Sequence, residues 1–201
     1  MIAIIDYGMG NLASVKKALN KLEIPSLITN KEEEIKDSLG IILPGVGSFK
    51  QAMINLQNLK LIPILENEVI NKKKPFLGIC LGMQLIFEKG NEPEEFSGLG
   101  WLKGEVVPII NNKLPVPHLG WNNIYSNNQE IEDSLNTNFY FIHSFHVKPD
   151  EFLETYWVNY EFPIVASVKK DNIFATQFHP EKSQQAGLDL ISSYFKNYVK
   201  S

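Results

Sequence analysis

The sequence predicts an α/β fold with a mostly parallel central sheet, helices on both of its faces, and an antiparallel β layer in the second half of the chain. Over about the first eighty residues, short apolar runs alternate with stretches of helical period. That alternation is typical of a parallel sheet covered on both faces. After about residue 96 the pattern changes to closely spaced apolar runs separated by turn residues, which favours antiparallel pairing.

The first half is expected to contain four strands, at residues 2–5, 26–29, 39–43 and 76–79. Between the first two, residues 11–22 place Leu12, Val15 and Leu19 on one face of a helix. The third strand ends in the turn sequence at 44–47, and Ser48 is a suitable cap for the helix that follows.

In the second half, six strands and a closing amphipathic helix at 187–198 are predicted; the strands are at 104–110, 122–125, 140–142, 156–160, 164–168 and 173–177. The sequence contains no internal repeat, low-complexity segment or linker. We therefore expect residues 1–201 to form a single domain.

Composition excludes several functional classes. A hydrophobic content of 44% and a charged content of 21% are ordinary for globular proteins, so a disordered or fibrous chain is not expected. The net charge of −4 argues against nonspecific nucleic-acid binding, which requires a basic surface. A single cysteine, no leader of secretory type and no membrane-length apolar run together predict a cytoplasmic protein.

The single cysteine, Cys80, lies where a buried-strand pattern ends and a helical pattern begins, between Gly78 and Gly82. A strand that enters a helix through one tight turn holds the turn residue in a strained conformation, and small neighbours let the chain close around it. The helix N-terminus also favours a thiolate. These features predict a nucleophile elbow.

A cysteine nucleophile needs a base, and that base needs a group that orients it. His179 follows the predicted strand at 173–177, and Glu181 comes two residues later with Pro180 between them. Both side chains can therefore leave one strand end for the same pocket. We infer a catalytic group of Cys80, His179 and Glu181.

Acyl transfer also requires donors for the developing oxyanion. The Pro-Gly-Val-Gly turn at 44–47 ends a neighbouring parallel strand, so its amides can face Cys80. Val46 and Gly47 are therefore candidate donors, together with the Leu81 amide directly after the nucleophile. A simple tight turn at 44–47 is the alternative explanation.

These residues also have simpler interpretations. Most lone cysteines are inert small hydrophobes, and His143 and His146 fit ordinary packing or surface positions. The histidines and Cys80 lack the spacing of metal ligands, so neither a metal nor an organic cofactor is expected. A glycine-rich segment at 6–13 loosely matches a dinucleotide fingerprint, but Asn30 stands near where an acidic ribose ligand is expected.

Taken together, PGVG at 44–47, GICLGMQ at 78–84 and QFHPE at 177–181 resemble the class I, or triad, glutamine amidotransferase family. Within it, the sequence is similar to the glutaminase subunits of imidazole glycerol phosphate synthases. The segments that carry this closer likeness are DYGMGNL at 6–12, VPHLGWN at 116–122, YFIHS at 140–144 and FHPEKS at 178–183.

The resemblance implies that Cys80 attacks the side-chain amide of glutamine and that His179 protonates the departing ammonia. It places Gly45, Gln84, Glu92, Ser144 and Phe145 at the substrate, and implies that an amide of the 45–47 segment reorients to complete the oxyanion hole. The ammonia would pass to a (β/α)8-barrel cyclase subunit in a heterodimer, whose product serves histidine biosynthesis. The residues implied to face this subunit are Asn11, His118, Trp121, Asn122, Tyr140 and Lys182.

Two alternatives remain compatible with these motifs. Paralogous glutaminase subunits supply ammonia to sugar-modifying amidotransferases in surface-polysaccharide synthesis, and the core motifs are shared with them. A catalytically silent scaffold of the same fold is the second, and the occupation of every triad position argues against it.

Overall fold

The computed structural model describes residues 1–92, 94–110, 113–126 and 138–199. Within these residues, a nine-stranded mixed sheet forms the centre, with the strand order β2-β1-β3-β4-β13-β12-β11-β8-β9. The parallel half of the sheet comes from the first part of the sequence. It consists of β1 (Ile2–Ile5), β2 (Ser26–Thr29), β3 (Gly40–Gly45) and β4 (Phe76–Cys80). These four strands run parallel to one another, as expected from the sequence.

Helices connect these strands. Helix α1 (Leu12–Lys21) begins after Asn11, whose side chain accepts a hydrogen bond from the Ser14 amide, and α2 (Glu32–Lys36) precedes β3. Helix α3 (Phe49–Asn58) is capped by Ser48, as predicted, and α4 (Leu61–Glu66) continues into a π-helical turn at Asn67–Asn71. The short helix α5 (Leu81–Leu85) follows β4 directly.

The antiparallel part of the chain mainly extends the central sheet. Strands β8 (His118–Tyr125), β9 (Asn138–His143), β11 (Glu154–Tyr160) and β12 (Phe162–Lys170) pair antiparallel with their neighbours. Strand β13 (Ile173–Thr176) pairs antiparallel with β12 on one side and parallel with β4 on the other. It therefore joins the two halves of the sheet, a role that local sequence pattern does not reveal.

A second, four-stranded sheet has the order β10-β7-β5-β6. It consists of β5 (Phe87–Asn91), β6 (Glu95–Ser97), β7 (Leu102–Pro108) and β10 (Phe145–Pro149). Its pairs are antiparallel except for β5 with β7, which run parallel. The sequence predicted β7 but not β5, β6 or β10, because these strands are short and lack a clear alternation of apolar residues.

The core lies on both faces of the central sheet. Alternate residues of β1 divide between two apolar clusters, with Ala3 and Ile5 in one and Ile2 and Ile4 in the other. This is the burial expected for a strand covered on both sides. The last helix, α6 (Gln184–Val199), packs its Ile191 and Phe195 into the second cluster and begins three residues earlier than the sequence indicated.

No helix among the described residues combines the length and apolar character needed to cross a membrane.

Candidate active site

Cys80 occupies a strained turn at the carboxyl end of β4. It is the last residue of that strand and caps α5, with φ 55° and ψ −108°. A non-glycine residue rarely adopts such a backbone conformation, and strain of this kind is concentrated at functional sites. The predicted strand–turn–helix arrangement of a nucleophile elbow is thus present.

The two neighbouring glycines make this turn possible. A Cβ atom at Gly82 would lie 1.8 Å from the Leu43 carbonyl oxygen, and one at Gly78 would lie 2.9 Å from the Gly82 carbonyl oxygen. Any side chain at position 82 would therefore force α5 away from β3. The expectation that small residues let the chain close around Cys80 is confirmed.

His179 reaches the same sheet edge because β13 is the parallel neighbour of β4. It follows β13 by three residues, so Cys80 and His179 both emerge at the carboxyl ends of adjacent parallel strands. His179 Nδ1 lies 2.8 Å from Glu181 Oε1, and both side chains are only 2% exposed. Nδ1–H thus donates a hydrogen bond to the carboxylate, which leaves Nε2 as the nitrogen available to Cys80.

The backbone around His179 is held by β9. The His179 amide donates to the Tyr140 carbonyl at 2.9 Å, and the Tyr140 amide donates to Ser183 Oγ at 3.0 Å. The Ser183 hydroxyl in turn donates to the His179 carbonyl at 2.6 Å. These bonds orient the turn that carries the imidazole.

The charges around His179 favour the imidazolium. Burial lowers its pKa, but the negative charge of Cys80 and the hydrogen-bonded Glu181 carboxylate outweigh burial and raise the pKa to about 10. His179 Nε2 is buried and makes no hydrogen bond within the usual distance, so its attraction to the sulfur is one of opposite charges. This arrangement suits a thiolate paired with an imidazolium.

Two further groups approach the sulfur. Gln177 Nε2 lies 3.7 Å from Cys80 Sγ, and the Ile142 carbonyl oxygen lies 3.9 Å from it. Burial, with a smaller contribution from the charge on Cys80, raises the pKa of Tyr7, so the phenol stays protonated. The Tyr7 hydroxyl donates a hydrogen bond to the Pro44 carbonyl at 2.8 Å and so supports the turn at 44–47 beside the elbow.

A pocket of about 390 Å³ opens above Cys80. It is lined by Val46, Gly47, Ser48, Cys80, Leu81, Gln84, Glu92, Pro117, Ile142, His143, Ser144 and Phe145. A cavity of this size holds a small polar metabolite. The nucleophile, the candidate oxyanion donors and most of the candidate substrate residues therefore surround one space.

The candidate substrate residues are placed as follows. Gln84 Nε2 donates to the Phe145 carbonyl at 3.2 Å and to Gln177 Oε1 at 3.0 Å. The Glu92 carboxylate accepts a hydrogen bond from the Phe49 backbone amide at 3.0 Å. Gly45 is the exception, because it is buried below the pocket and does not line it; a Cβ there would lie 2.3 Å from the Tyr7 hydroxyl oxygen.

The candidate partner residues do not all lie on one surface. Trp121 is 46% exposed and pairs with Tyr140 across β8 and β9, and Lys182 Nζ lies 5.8 Å from the Tyr140 ring centroid. His118, by contrast, is only 1% exposed. Because side chains alternate along a strand, His118 and Asn122 lie on the face of β8 opposite Trp121.

Asn11 lies at the surface, where its side chain caps α1. The resemblance implies a surface position for His118 as well, but its side chain is buried. The motif does not show which way the His118 side chain points. This depends on β8, which begins at His118, four residues before the predicted strand.

Sequence reasoning assigned no role to three residues of the site, namely Tyr7, Gln177 and His143. Gln177 stands inside the motif that contains His179, so its position was the available signal. Tyr7 and His143 also stand inside quoted motifs, at 6–12 and 140–144, but their contacts depend on the tertiary fold, which places Tyr7 against the Pro44 carbonyl and His143 at the pocket.

The described residues contain no group of three or more His, Cys, Asp or Glu side chains arranged to hold a metal ion.

A known protein family matches almost the whole chain. The model of the family named Glutamine amidotransferase class-I matches residues 3–197. The chain belongs to the class I glutamine amidotransferase family. The resemblance inferred from the motifs is therefore confirmed at the level of the family.

Curated relatives are similar over almost their whole length. The chain is 47% identical to imidazole glycerol phosphate synthase subunit HisH 1 of Campylobacter jejuni, over 96% of this chain and 98% of that protein. It is 43% identical to subunit HisH of Aquifex aeolicus, over 98% and 97% of the two chains. It is 41% identical to subunit HisH of Bacillus subtilis, over 98% and 96%.

Solved structures confirm the fold. A crystal structure of a glutamine amidotransferase superposes with a TM-score of 0.77 at 16% identity, covering 98% of both chains. The structure of PurLQS from Thermotoga maritima superposes with a TM-score of 0.71 at 17% identity, covering 99% of this chain and 98% of that one.

The packing at Gly82 yields a stability prediction. Gly82→Ala should lower the free energy of unfolding by about 3 kcal/mol, because the new methyl group meets the Leu43 carbonyl. Gly100→Ala is the matched control, since Gly100 has φ +67° but open space around it; its cost should be about 1 kcal/mol. Urea denaturation measures both, and equal losses would contradict the packing argument.

The electrostatics at His179 yield a titration prediction. In Cys80→Ala the negative sulfur is removed, so the pKa of His179 should fall well below the value of about 10. NMR titration of the imidazole signals measures this change. His146 serves as an internal reference that should titrate alike in both proteins, and a His179 pKa still near 10 would exclude the sulfur as its cause.

The contact of Gln177 with the sulfur yields a reactivity prediction. Because Cys80 is the only cysteine, iodoacetamide labelling reports on it alone. Gln177→Leu should slow alkylation at constant pH by about tenfold, since a donor facing the sulfur stabilises its negative charge. Gln185→Leu, on an exposed helix position, is the control and should label at the wild-type rate.

Proposed function

We propose that this chain hydrolyses glutamine to glutamate and ammonia through Cys80, His179 and Glu181, and delivers the ammonia to a cyclase subunit of imidazole glycerol phosphate synthase. One observation carries the proposal. A cysteine at positive φ lies under a pocket of about 390 Å³, beside a buried imidazole whose other nitrogen is held by a carboxylate at 2.8 Å.

In the first step, Cys80 Sγ attacks the carboxamide carbon of glutamine and a tetrahedral intermediate forms. His179 then gives its Nε2 proton to the amide nitrogen, the carbon–nitrogen bond breaks, and ammonia leaves a thioester behind. Glu181 keeps the Nδ1 proton in place throughout, so that the proton transferred is the one facing the sulfur.

In the second step, water attacks the thioester carbon and gives a proton to the now neutral His179. The carbon–sulfur bond breaks, glutamate is released, and the thiolate–imidazolium pair is restored. The raised pKa of His179 supports this resting state.

The negative oxygen of both tetrahedral intermediates needs donors. We assign these to the Leu81 amide and to the amides of Val46 and Gly47, all of which belong to residues that line the pocket. The Glu92 carboxylate and the backbone of Ser144 and Phe145 lie in the same pocket and are assigned to the amino-acid end of glutamine, with Gln84 bracing the Phe145 carbonyl. Gly45 would act by letting the turn pack closely against Tyr7.

The partner is proposed to be a (β/α)8-barrel cyclase that binds the outward face of β8 and β9. On this face the cross-strand pairs Leu119–Ile142 and Trp121–Tyr140 lie together, and Leu119 is 58% exposed. A contiguous apolar surface of this kind marks a protein interface. Lys182 and Asn11 would contribute polar contacts to the heterodimer.

In the proposed assembly, the cyclase uses the ammonia to make imidazole glycerol phosphate and an aminoimidazole carboxamide ribotide for histidine biosynthesis. The relatives named above are subunits of this synthase, and this favours the histidine pathway over supply to a sugar amidotransferase. The occupied triad disfavours a silent scaffold. The cytoplasmic location and the single domain remain predictions.

The decisive variant is Cys80→Ala, studied as the purified pair with the cyclase subunit encoded in the same genome. Glutamate release should fall by more than about 1000-fold, because the nucleophile is absent. Synthesis of imidazole glycerol phosphate from added ammonium should persist, because that reaction takes place on the partner. A coupled assay of glutamate and of the cyclase product measures both.

Ammonium-dependent synthesis is the control for correct folding and assembly. Retained glutaminase activity in Cys80→Ala would refute the assigned nucleophile. A wild-type chain that stimulates a sugar amidotransferase but not the cyclase would refute the assigned pathway while leaving the glutaminase chemistry intact.

A further inference from the structure

Two buried histidines behind the pocket have no part in the proposed chemistry. His118 is 1% exposed and His143 is 6% exposed, and only His143 lines the pocket. Burial lowers the pKa of His118 to about 4 and that of His143 to about 3. Both rings are therefore neutral near pH 7, and each has one donor nitrogen and one acceptor nitrogen.

The two rings belong to a continuous chain of hydrogen bonds. Asn122 Nδ2 lies 2.9 Å from His118 Nε2, His118 Nδ1 lies 3.0 Å from His143 Nε2, and His143 Nδ1 lies 2.8 Å from the Phe145 carbonyl oxygen. We call these four groups the histidine chain. It runs from a half-buried position on β8 to the wall of the pocket.

The direction of the histidine chain follows from its inner end. A carbonyl oxygen can only accept, so His143 Nδ1 must carry the proton and His143 Nε2 must accept. His118 Nδ1 is then the donor between the rings, and His118 Nε2 accepts from the Asn122 amide. One acceptor thus determines the tautomers of both histidines.

Packing holds the rings in this arrangement. His118 stacks on Tyr160 at a centroid distance of 4.0 Å and on Phe141 at 4.7 Å. Tyr160 is itself tied down, because its hydroxyl donates to the Pro115 carbonyl at 2.6 Å. His118 is therefore restrained both in position and in ring plane.

The inner end of the chain supports the proposed substrate site. The Phe145 carbonyl accepts from both His143 Nδ1 and Gln84 Nε2. With two donors on this carbonyl, the peptide that follows Phe145 has a restricted orientation, and with it the backbone of Ser144 and Phe145 that lines the pocket.

We propose that His118 and His143 are positioning residues that help to bind glutamine. They hold the backbone of Ser144 and Phe145 in its binding conformation through a series of hydrogen bonds in which each group donates to the next, starting from Asn122. The inference rests on the proposed glutaminase function. It also explains why His118, which the sequence motif places at the partner surface, turns inward. The histidine chain contacts the amino-acid end of the site and not the reacting atoms, so it acts on substrate binding.

Kinetics of glutamine hydrolysis by the intact pair test this role. His143→Phe keeps a ring but removes the donor to Phe145, and should raise KM for glutamine by about fivefold or more with kcat within about twofold. His143→Asn places an amide donor near the former Nδ1 and should recover part of the loss. His118→Phe and Asn122→Ala, which release the chain from its outer end, should raise KM by smaller factors.

His146→Phe is the matched control. His146 is as buried as His143, at 6% exposed, but it packs against Phe162 and does not line the pocket, so its KM should remain that of the wild type. Ammonium-dependent synthesis should be unchanged in every variant that assembles. A fall in kcat without a change in KM, or equal effects of His143→Phe and His146→Phe, would overturn the proposal.

The ring nitrogens provide a test whose readout does not depend on catalytic activity. In the wild-type pair, ¹⁵N NMR should show His118 and His143 both as neutral Nδ1–H tautomers. In His118→Phe, His143 should remain the Nδ1–H tautomer, because the Phe145 carbonyl still accepts from Nδ1, and only its Nε2 signal should shift as Nε2 loses its donor. An Nε2–H tautomer of His143 in the wild type would overturn the histidine chain, whereas a wild-type pair that releases no glutamate would overturn the proposed function alone.

Discussion

The parallel pairing of β13 with β4 is the contact on which the site depends. Strand β13 arrives almost a hundred residues after β4, yet the two run side by side with Ile79 opposite Thr176. This register delivers Cys80 and His179 to the same edge of the sheet. Ligands bind at the carboxyl ends of parallel strands, where side chains from separate loops converge. The antiparallel half of the sheet supports β13 from its other side through β12.

The charges at this edge are balanced in a space with little water. His179 and Glu181 are almost completely buried, and an imidazolium there would be costly by itself. It is stabilised by two negative groups, the carboxylate at Nδ1 and the sulfur near Nε2. The glycines at 78 and 82 serve the same end, because their tight turn presents the sulfur at the sheet edge where the imidazole lies.

The outer strands connect the candidate partner surface with the pocket. Strand β9 presents Tyr140 and Ile142 on its outward side and His143 toward the pocket, while its backbone at Tyr140 holds the turn that carries His179. Docking on this face would therefore act on a strand that supports both the base and the substrate wall.

Much of this protein could be predicted from the sequence because the relevant signals are local. The strand–turn–helix at Cys80, the spacing of His179 and Glu181, and the turn at 44–47 each occupy a few adjacent residues whose backbone geometry follows from their glycines and prolines. The tertiary structure decided what depends on distant pairing. It placed β13 between a parallel and an antiparallel neighbour, brought Gln177 to the sulfur and Tyr7 to the Pro44 carbonyl, and turned His118 inward while Trp121 faces outward. Those outcomes depend on which strand lies alongside which, and a single stretch of sequence does not contain that information.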